Sequence, residues 1–149
     1  MEKTLMTAMK TSISEVMETM FFLPVEFGEE STFDQLDIVE KQSSLASQLK
    51  FSGDVTGSLS IIVSNDLISE MTQNFTGESQ DQLTNEYLSG TLTEMLNMVC
   101  GNALSKTDSK IPFDLEIPEV IDASKISKKE VFTIVETTGS NMAVSLKID

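Results

Sequence analysis

The segment from Glu86 to Ser105 constrains the fold most, because it predicts a long helix with two unlike sides. Apolar side chains recur along one side at helical spacing, and we expect this side to be buried. The apolar side consists of Leu88, Leu92, Met95, Leu96, Val99 and Ala103. The rest of the chain must therefore supply a surface that covers this side of the helix.

The opposite side of the same helix reads Gly90, Glu94, Asn97 and Gly101. Glycine within a helix costs about 1 kcal/mol relative to alanine, so two glycines on an exposed side indicate that another chain comes very close there. The side chains of Glu94 and Asn97 reach the same patch, because they lie about one turn apart. The alternative is that both polar residues are merely solvated and the glycines are accidental, since short patterns also arise by chance.

The order Glu94-x-x-Asn97, followed by the run Gly101–Ala103, resembles the signature of the CheC/CheX/FliY phosphatases of bacterial chemotaxis. Two weaker similarities accompany it. Residues 51–64 resemble the strand pair of that family, and residues 111–121 resemble the proline-containing strand that follows its motif helix. The resemblance therefore extends over most of the chain and rests on one specific motif.

The resemblance implies a protein aspartyl-phosphate phosphatase that dephosphorylates a CheY-like receiver domain. In this role Glu94 would dock the receiver and Asn97 would position the attacking water. The receiver would bring its own Mg²⁺, so no cofactor or metal is expected on this chain. The similarity to CheX-type members, which keep a single motif, also implies a homodimer.

Four further residues of the helix have expected roles or environments. From the helical wheel, Gly90 and Gly101 would let a loop of the partner approach the helix backbone. Asn102 is expected to be structural, capping the helix or forming a hydrogen bond at its end. Cys100 lies between the two sides of the helix and is predicted to be a buried thiol.

The composition excludes several classes of function. With a net charge of −14, the chain would be repelled by nucleic acid and by anionic membranes, so neither is an expected partner. It has no histidine and one cysteine, so neither a zinc cluster nor a Ser-His or Cys-His nucleophile is available. The lone Cys100 also excludes an internal disulfide, which agrees with a cytoplasmic location.

The N-terminal segment Lys3–Phe21 predicts a second long helix with an apolar stripe. Its sequence around Glu15 and Glu18 aligns position by position with the region of Glu94 and Asn97. A carboxylate at position 18 cannot donate the hydrogen bonds of an amide, and its charge opposes a phosphoryl group. We therefore interpret Glu15 and Glu18 as a solvated face.

The remaining pattern predicts one α+β domain over residues 1–149, with two long helices on one face of a largely antiparallel sheet. Alternating side chains at residues 45–51 and 142–148, together with β-branched residues at 58–63, predict hairpins at residues 45–63 and 131–148. A short helix after Ser64 would end at Gly77. The acidic segment Val25–Lys41 is expected to be irregular, with a strand beginning near its N-terminus.

Two other functions compete with the phosphatase. One is a non-catalytic adaptor of the same fold that binds the receiver without turnover. The other is an unrelated acidic scaffold protein, in which the motif is a coincidence. An intact Asn97 favours the phosphatase, because an adaptor needs no group to position water.

Overall fold

The computed structural model describes residues 2–37, 44–107 and 110–149, and these ranges contain three α-helices and a seven-stranded sheet. The helices are α1 (Glu2–Met20), α2 (Asn65–Thr76) and α3 (Asn85–Ser105). The strands are β1 (Glu26–Thr32), β2 (Ser44–Ser52), β3 (Gly57–Ser64), β4 (Asp114–Leu115), β5 (Glu119–Ile121), β6 (Val131–Thr137) and β7 (Ser140–Ile148).

The strands of the sheet pair antiparallel in the order β1-β6-β7-β3-β2-β4, and β5 also pairs with β2. Both predicted hairpins are present, β2–β3 and β6–β7. The second hairpin turns at Gly139, whose φ of +77° favours glycine. Between β4 and β5 the edge of the sheet is interrupted at Pro118, which cannot donate to a ladder.

All three helices cover the same face of the sheet, which confirms the predicted α+β architecture. The main core lies between this helical layer and the inward side chains of the central strands, and it is almost completely closed to solvent. Its largest members include Met9, Met17 and Phe21 of the N-terminal segment, Leu92, Met95 and Leu96 of α3, and Leu49, Phe51, Leu59 and Val144 of the sheet.

The other face of the sheet carries a second, smaller core that the sequence patterns did not predict. It consists of Leu36, Ala46, Ile62, Phe132 and Ala143. The chain after β1 covers this face and is held to the chain before β6, since the Phe33 amide donates to the Glu130 carbonyl at 2.8 Å. The sheet is therefore buried in part on both faces.

The acidic segment Val25–Lys41 is more regular than expected. Its first part is the edge strand β1, which pairs with β6 and keeps acidic side chains such as Glu29 and Glu30 in solvent. An edge strand needs only one partner, so its sequence can be polar on both sides. Residues 38–41 of the predicted segment lie outside the described residues.

Helix α2 begins and ends as its sequence predicts, and its N-cap gives a test of the fold. The Ser64 hydroxyl accepts a hydrogen bond from the Leu67 amide at 3.2 Å, and this serine is buried. Replacing Ser64 by Ala should lower the free energy of unfolding by about 1 kcal/mol, because a helix N–H loses its acceptor. Ser58→Ala, on the same strand β3 without such a bond, is the control in urea denaturation. Equal losses for the two variants would contradict the capping role.

Candidate functional site

Helix α3 is fixed at its start by a cap and along its length by its apolar side. The Thr84 hydroxyl accepts a hydrogen bond from the Tyr87 amide at 3.2 Å, which ends the preceding connector. The predicted apolar side packs into the main core as expected, with Leu88 only half-buried near the first turn. Because this side faces the sheet, the opposite side of α3 faces solvent.

The solvent side of α3 carries the predicted pair of polar residues. Glu94, Asn97 and Gly90 are exposed, and Gly101 is half-exposed. Among the described residues, neither Glu94 nor Asn97 has a side-chain hydrogen bond or ion pair, so both groups are available to a ligand or a partner. The structure thus brings a carboxylate and a neutral amide together on one open surface.

The two glycines beside this pair are not required by packing within the chain. A Cβ atom built at Gly90 or at Gly101 meets no other atom within 4 Å, apart from the backbone of its own helix and its chain neighbours. In an exposed helix alanine is the more stable residue, so the fold of the chain alone gives no reason for glycine here. This open space is consistent with close approach by a partner, which remains a prediction.

Beyond Gly101, helix α3 is tied to α1 by four polar side chains that we call the clasp: Ser12, Glu15, Asn102 and Lys106. The Asn102 amide donates to the Ser12 hydroxyl at 3.1 Å and to the Glu15 carboxylate at 3.0 Å. The Lys106 ammonium forms an ion pair with Glu15 at 3.2 Å. The Ser12 hydroxyl in turn donates to the Val99 carbonyl at 2.7 Å and is buried.

Glu15 and Glu18 are both exposed, as expected of a solvated face, but the clasp gives Glu15 partners that the sequence did not predict. Hydrogen bonds from Asn102 and from Lys106, together with the charge of Lys106, hold the pKa of Glu15 below its ordinary value. Asn102 is structural in this geometry, but its partners lie on the other helix and not at the end of its own. Glu18 remains exposed and has no such partner among the described residues.

A groove with a volume of about 450 Å³ adjoins the same end of α3. It begins at Gly101, which also belongs to the solvent side of α3 that carries Glu94 and Asn97. Apolar side chains from the segment before β4 line its far side, where Ile111 is about half exposed. The lining residues include Leu104, Thr107, Lys110, Ile111, Phe113 and Leu115. The sequence patterns did not predict this groove, because it forms only where residues 110–115 fold back beside the end of α3.

Neither Cys100 nor the acidic side chains form a reactive or metal-binding group among the described residues. Cys100 is completely buried, as predicted, and this burial raises its pKa to about 12. Within the described ranges, no group of three or more Cys, Asp or Glu side chains is placed to hold a metal ion. In the same part of the chain, no helix combines the length and the apolar character that crossing a bilayer requires.

The exposed glycines give a stability prediction that is independent of function. Gly90→Ala and Gly101→Ala should each raise the free energy of unfolding by about 0.5–1 kcal/mol, since helix propensity improves without a clash. Gly77→Ala is the matched control, because Gly77 ends α2 with φ +77° and also has open space around it. That change should lower stability by about 1 kcal/mol, through backbone strain alone. Urea denaturation measures the free energy of unfolding of all three variants. Destabilisation by Gly90→Ala would contradict the open space around Gly90.

The fold is similar to that of solved chemotaxis proteins. The CheX structure from Vibrio vulnificus matches with a TM-score of 0.78 at 20% identity, over 97% of this chain and 96% of that one. A CheC-like protein from Shewanella sp. PV-4 matches with a TM-score of 0.78 at 20% identity, over 100% of this chain and 99% of that one. CheX in a CheX–CheY–BeF3–Mg²⁺ complex from Borrelia burgdorferi matches with a TM-score of 0.76 at 21% identity, over 97% of both chains.

Sequence comparison assigns the family. A search of curated proteins gives no significant match. The family model for the chemotaxis phosphatase CheX, however, matches residues 45–138, which is more than half of the chain and includes the whole of helix α3. The chain therefore belongs to the CheX family of chemotaxis phosphatases.

Proposed function

We propose that this chain hydrolyses the aspartyl phosphate of a CheY-like receiver domain, with Glu94 docking the receiver and Asn97 positioning the attacking water. The observation that carries the proposal is the exposure of this unpaired carboxylate and amide on one side of α3, in a member of a phosphatase family. The related CheX from Borrelia burgdorferi was solved in complex with CheY, BeF3 and Mg²⁺, which supports a receiver as the partner.

Glu94 suits the docking step because a carboxylate pairs strongly with a lysine. A receiver domain that carries an acyl phosphate has a lysine beside it, and an ion pair excluded from water would hold that site against α3. The chain is strongly acidic, so long-range electrostatics oppose a phosphorylated partner and short-range contacts must supply the affinity. Gly90 and Gly101 would let the loops of the receiver reach the helix backbone.

Asn97 suits the hydrolytic step because its amide both donates and accepts hydrogen bonds and carries no charge. Held in line behind the phosphorus, the water oxygen forms a bond to phosphorus while the bond from phosphorus to the aspartyl oxygen breaks. The products are the free aspartate carboxylate and inorganic phosphate. Phosphoryl transfer responds mainly to such positioning and to charge stabilisation, so a single amide on a rigid helix can have a large effect.

The proposal also includes the setting of the reaction. The receiver would supply Mg²⁺, and the chain would act in the cytoplasm as a homodimer. An exposed apolar edge supports a second copy as a partner, since Leu115, Ile117 and Val120 project from the outermost strands and the turn between them. Ile117 is 86% exposed, which is unusual for a large apolar residue in an isolated domain.

Replacing Asn97 by Ala is the main test of this function. It should slow dephosphorylation of the receiver by about 10²-fold, the effect of removing one positioned donor, without changing the fold. Asn97→Asp keeps the size of the side chain but adds a charge that repels the phosphoryl oxygens, and it should lose at least as much activity. Phosphate release from a panel of phosphorylated receivers, with the chain at catalytic concentration, gives the rates.

The same assay separates the competing functions. Binding of a beryllofluoride-loaded receiver without any acceleration of phosphate release would identify an adaptor. An unrelated acidic scaffold is already excluded, because the chain belongs to the CheX family, and absence of binding to every receiver would contradict the proposed partner. Equal rates for the wild type and Asn97→Ala would end the proposal in its present form, because Asn97 would then have no part in catalysis.

The glycine variants test the docking geometry without removing a functional group. A methyl group at position 101 stands where the receiver backbone is proposed to approach, so Gly101→Ala should raise KM several-fold while the chain itself becomes more stable. The control is Asn85→Ala, an exposed change at the start of the same helix whose side chain makes no hydrogen bond among the described residues. Unchanged KM for both Gly90→Ala and Gly101→Ala would exclude close approach of a partner at the glycines.

A further inference from the structure

The clasp joins two helices that carry related sequences, and its parts come from both copies of the motif. Glu15 stands at the position of α1 that aligns with Glu94 of α3. In the structure, however, Glu15 is held by Asn102 at 3.0 Å and by Lys106 at 3.2 Å, both of which follow the intact motif. The carboxylate of the altered copy is thus engaged with the helix that bears the intact one.

The hydrogen bonds of the clasp restrain rotation of α3 about its own axis. Asn102 lies a little more than one turn after Asn97, and its amide has two acceptors on α1 at different depths. Ser12 is buried between the helices and also donates to the Val99 carbonyl, inside the span that separates the motif from the clasp. Apolar packing alone allows small rotations, because it has little directional preference, whereas these bonds are directional.

We propose that the clasp of Ser12, Glu15, Asn102 and Lys106 is a positioning device for the phosphatase reaction, and that Asn102 is its positioning residue. It sets the direction in which Glu94 and Asn97 point toward the receiver, with the Glu15 carboxylate on α1 as an acceptor that holds α3. This inference rests on the proposed function. A displacement of about 1 Å at a reacting group can cost about 10²-fold in rate, so a loose helix would be a poor catalyst.

The test exchanges donor and acceptor across the clasp. Asn102→Asp places a second carboxylate against Glu15. The Ser12 hydroxyl cannot donate a hydrogen bond to the new carboxylate, because its proton is already donated to the Val99 carbonyl. The kcat for phosphate release should fall about 10-fold or more at a temperature where the variant is folded by circular dichroism. Adding Glu15→Gln restores an amide donor opposite the new carboxylate. The double variant should therefore recover at least half of the decrease in the logarithm of kcat.

The control is Glu18→Gln, which removes the same charge from the same helix without touching the clasp, and its kcat should equal that of the wild type. Wild-type kcat in Asn102→Asp would overturn the inference, and so would failure of Glu15→Gln to rescue it. Either result leaves the proposed function intact when Asn97→Ala still slows phosphate release by about 10²-fold. If the wild type itself does not accelerate phosphate release, the proposed function fails instead.

Discussion

Burial of the apolar side of α3 against the sheet is the constraint on which the rest of the molecule depends. Leu92, Met95 and Leu96 are fully closed to solvent, and turning them outward would expose three large side chains at about 1.5–3 kcal/mol each. Apolar packing therefore fixes the orientation of α3 about its own axis, apart from small rotations. The side that carries Glu94 and Asn97 faces solvent as a direct consequence, and among the described residues no hydrogen bond or ion pair holds these two side chains.

Two kinds of contact therefore orient α3. The hydrophobic core determines which side of α3 is exposed, and the polar contacts to α1 refine its direction. The polar contacts are themselves partly open to water, with side-chain exposures of 50% for Glu15 and 55% for Lys106. Such pairs contribute little to stability. They lie at the end of the helix next to the surface that carries Glu94 and Asn97, where we propose that they act through geometry.

The sequence allowed much of the fold to be predicted, for reasons visible in particular residues. Strands β2 and β7 have alternating side chains, β3 is rich in β-branched residues, and α3 has an apolar side at helical spacing, so local patterns were sufficient for these elements. Strand β1 was missed as a full strand because Glu26, Glu29 and Glu30 have no such alternation and its order comes from pairing with β6. The clasp was missed because Glu15 and Asn102 are 87 residues apart, and only tertiary structure joins them. The exposure of Glu94 and Asn97 was predicted correctly, whereas their roles remain a proposal.

Burial of Cys100 has a consequence for the response of the protein to acidity. The chain contains no histidine, the side chain that ordinarily gains a proton near neutrality, and the thiol that could have taken its place titrates only near pH 12. The chain therefore has no other side chain whose ordinary pKa lies close to neutrality and whose charge could switch near pH 7. Any sensitivity of the proposed joint reaction to mild acidification would therefore not come from an imidazole or from the thiol of this chain.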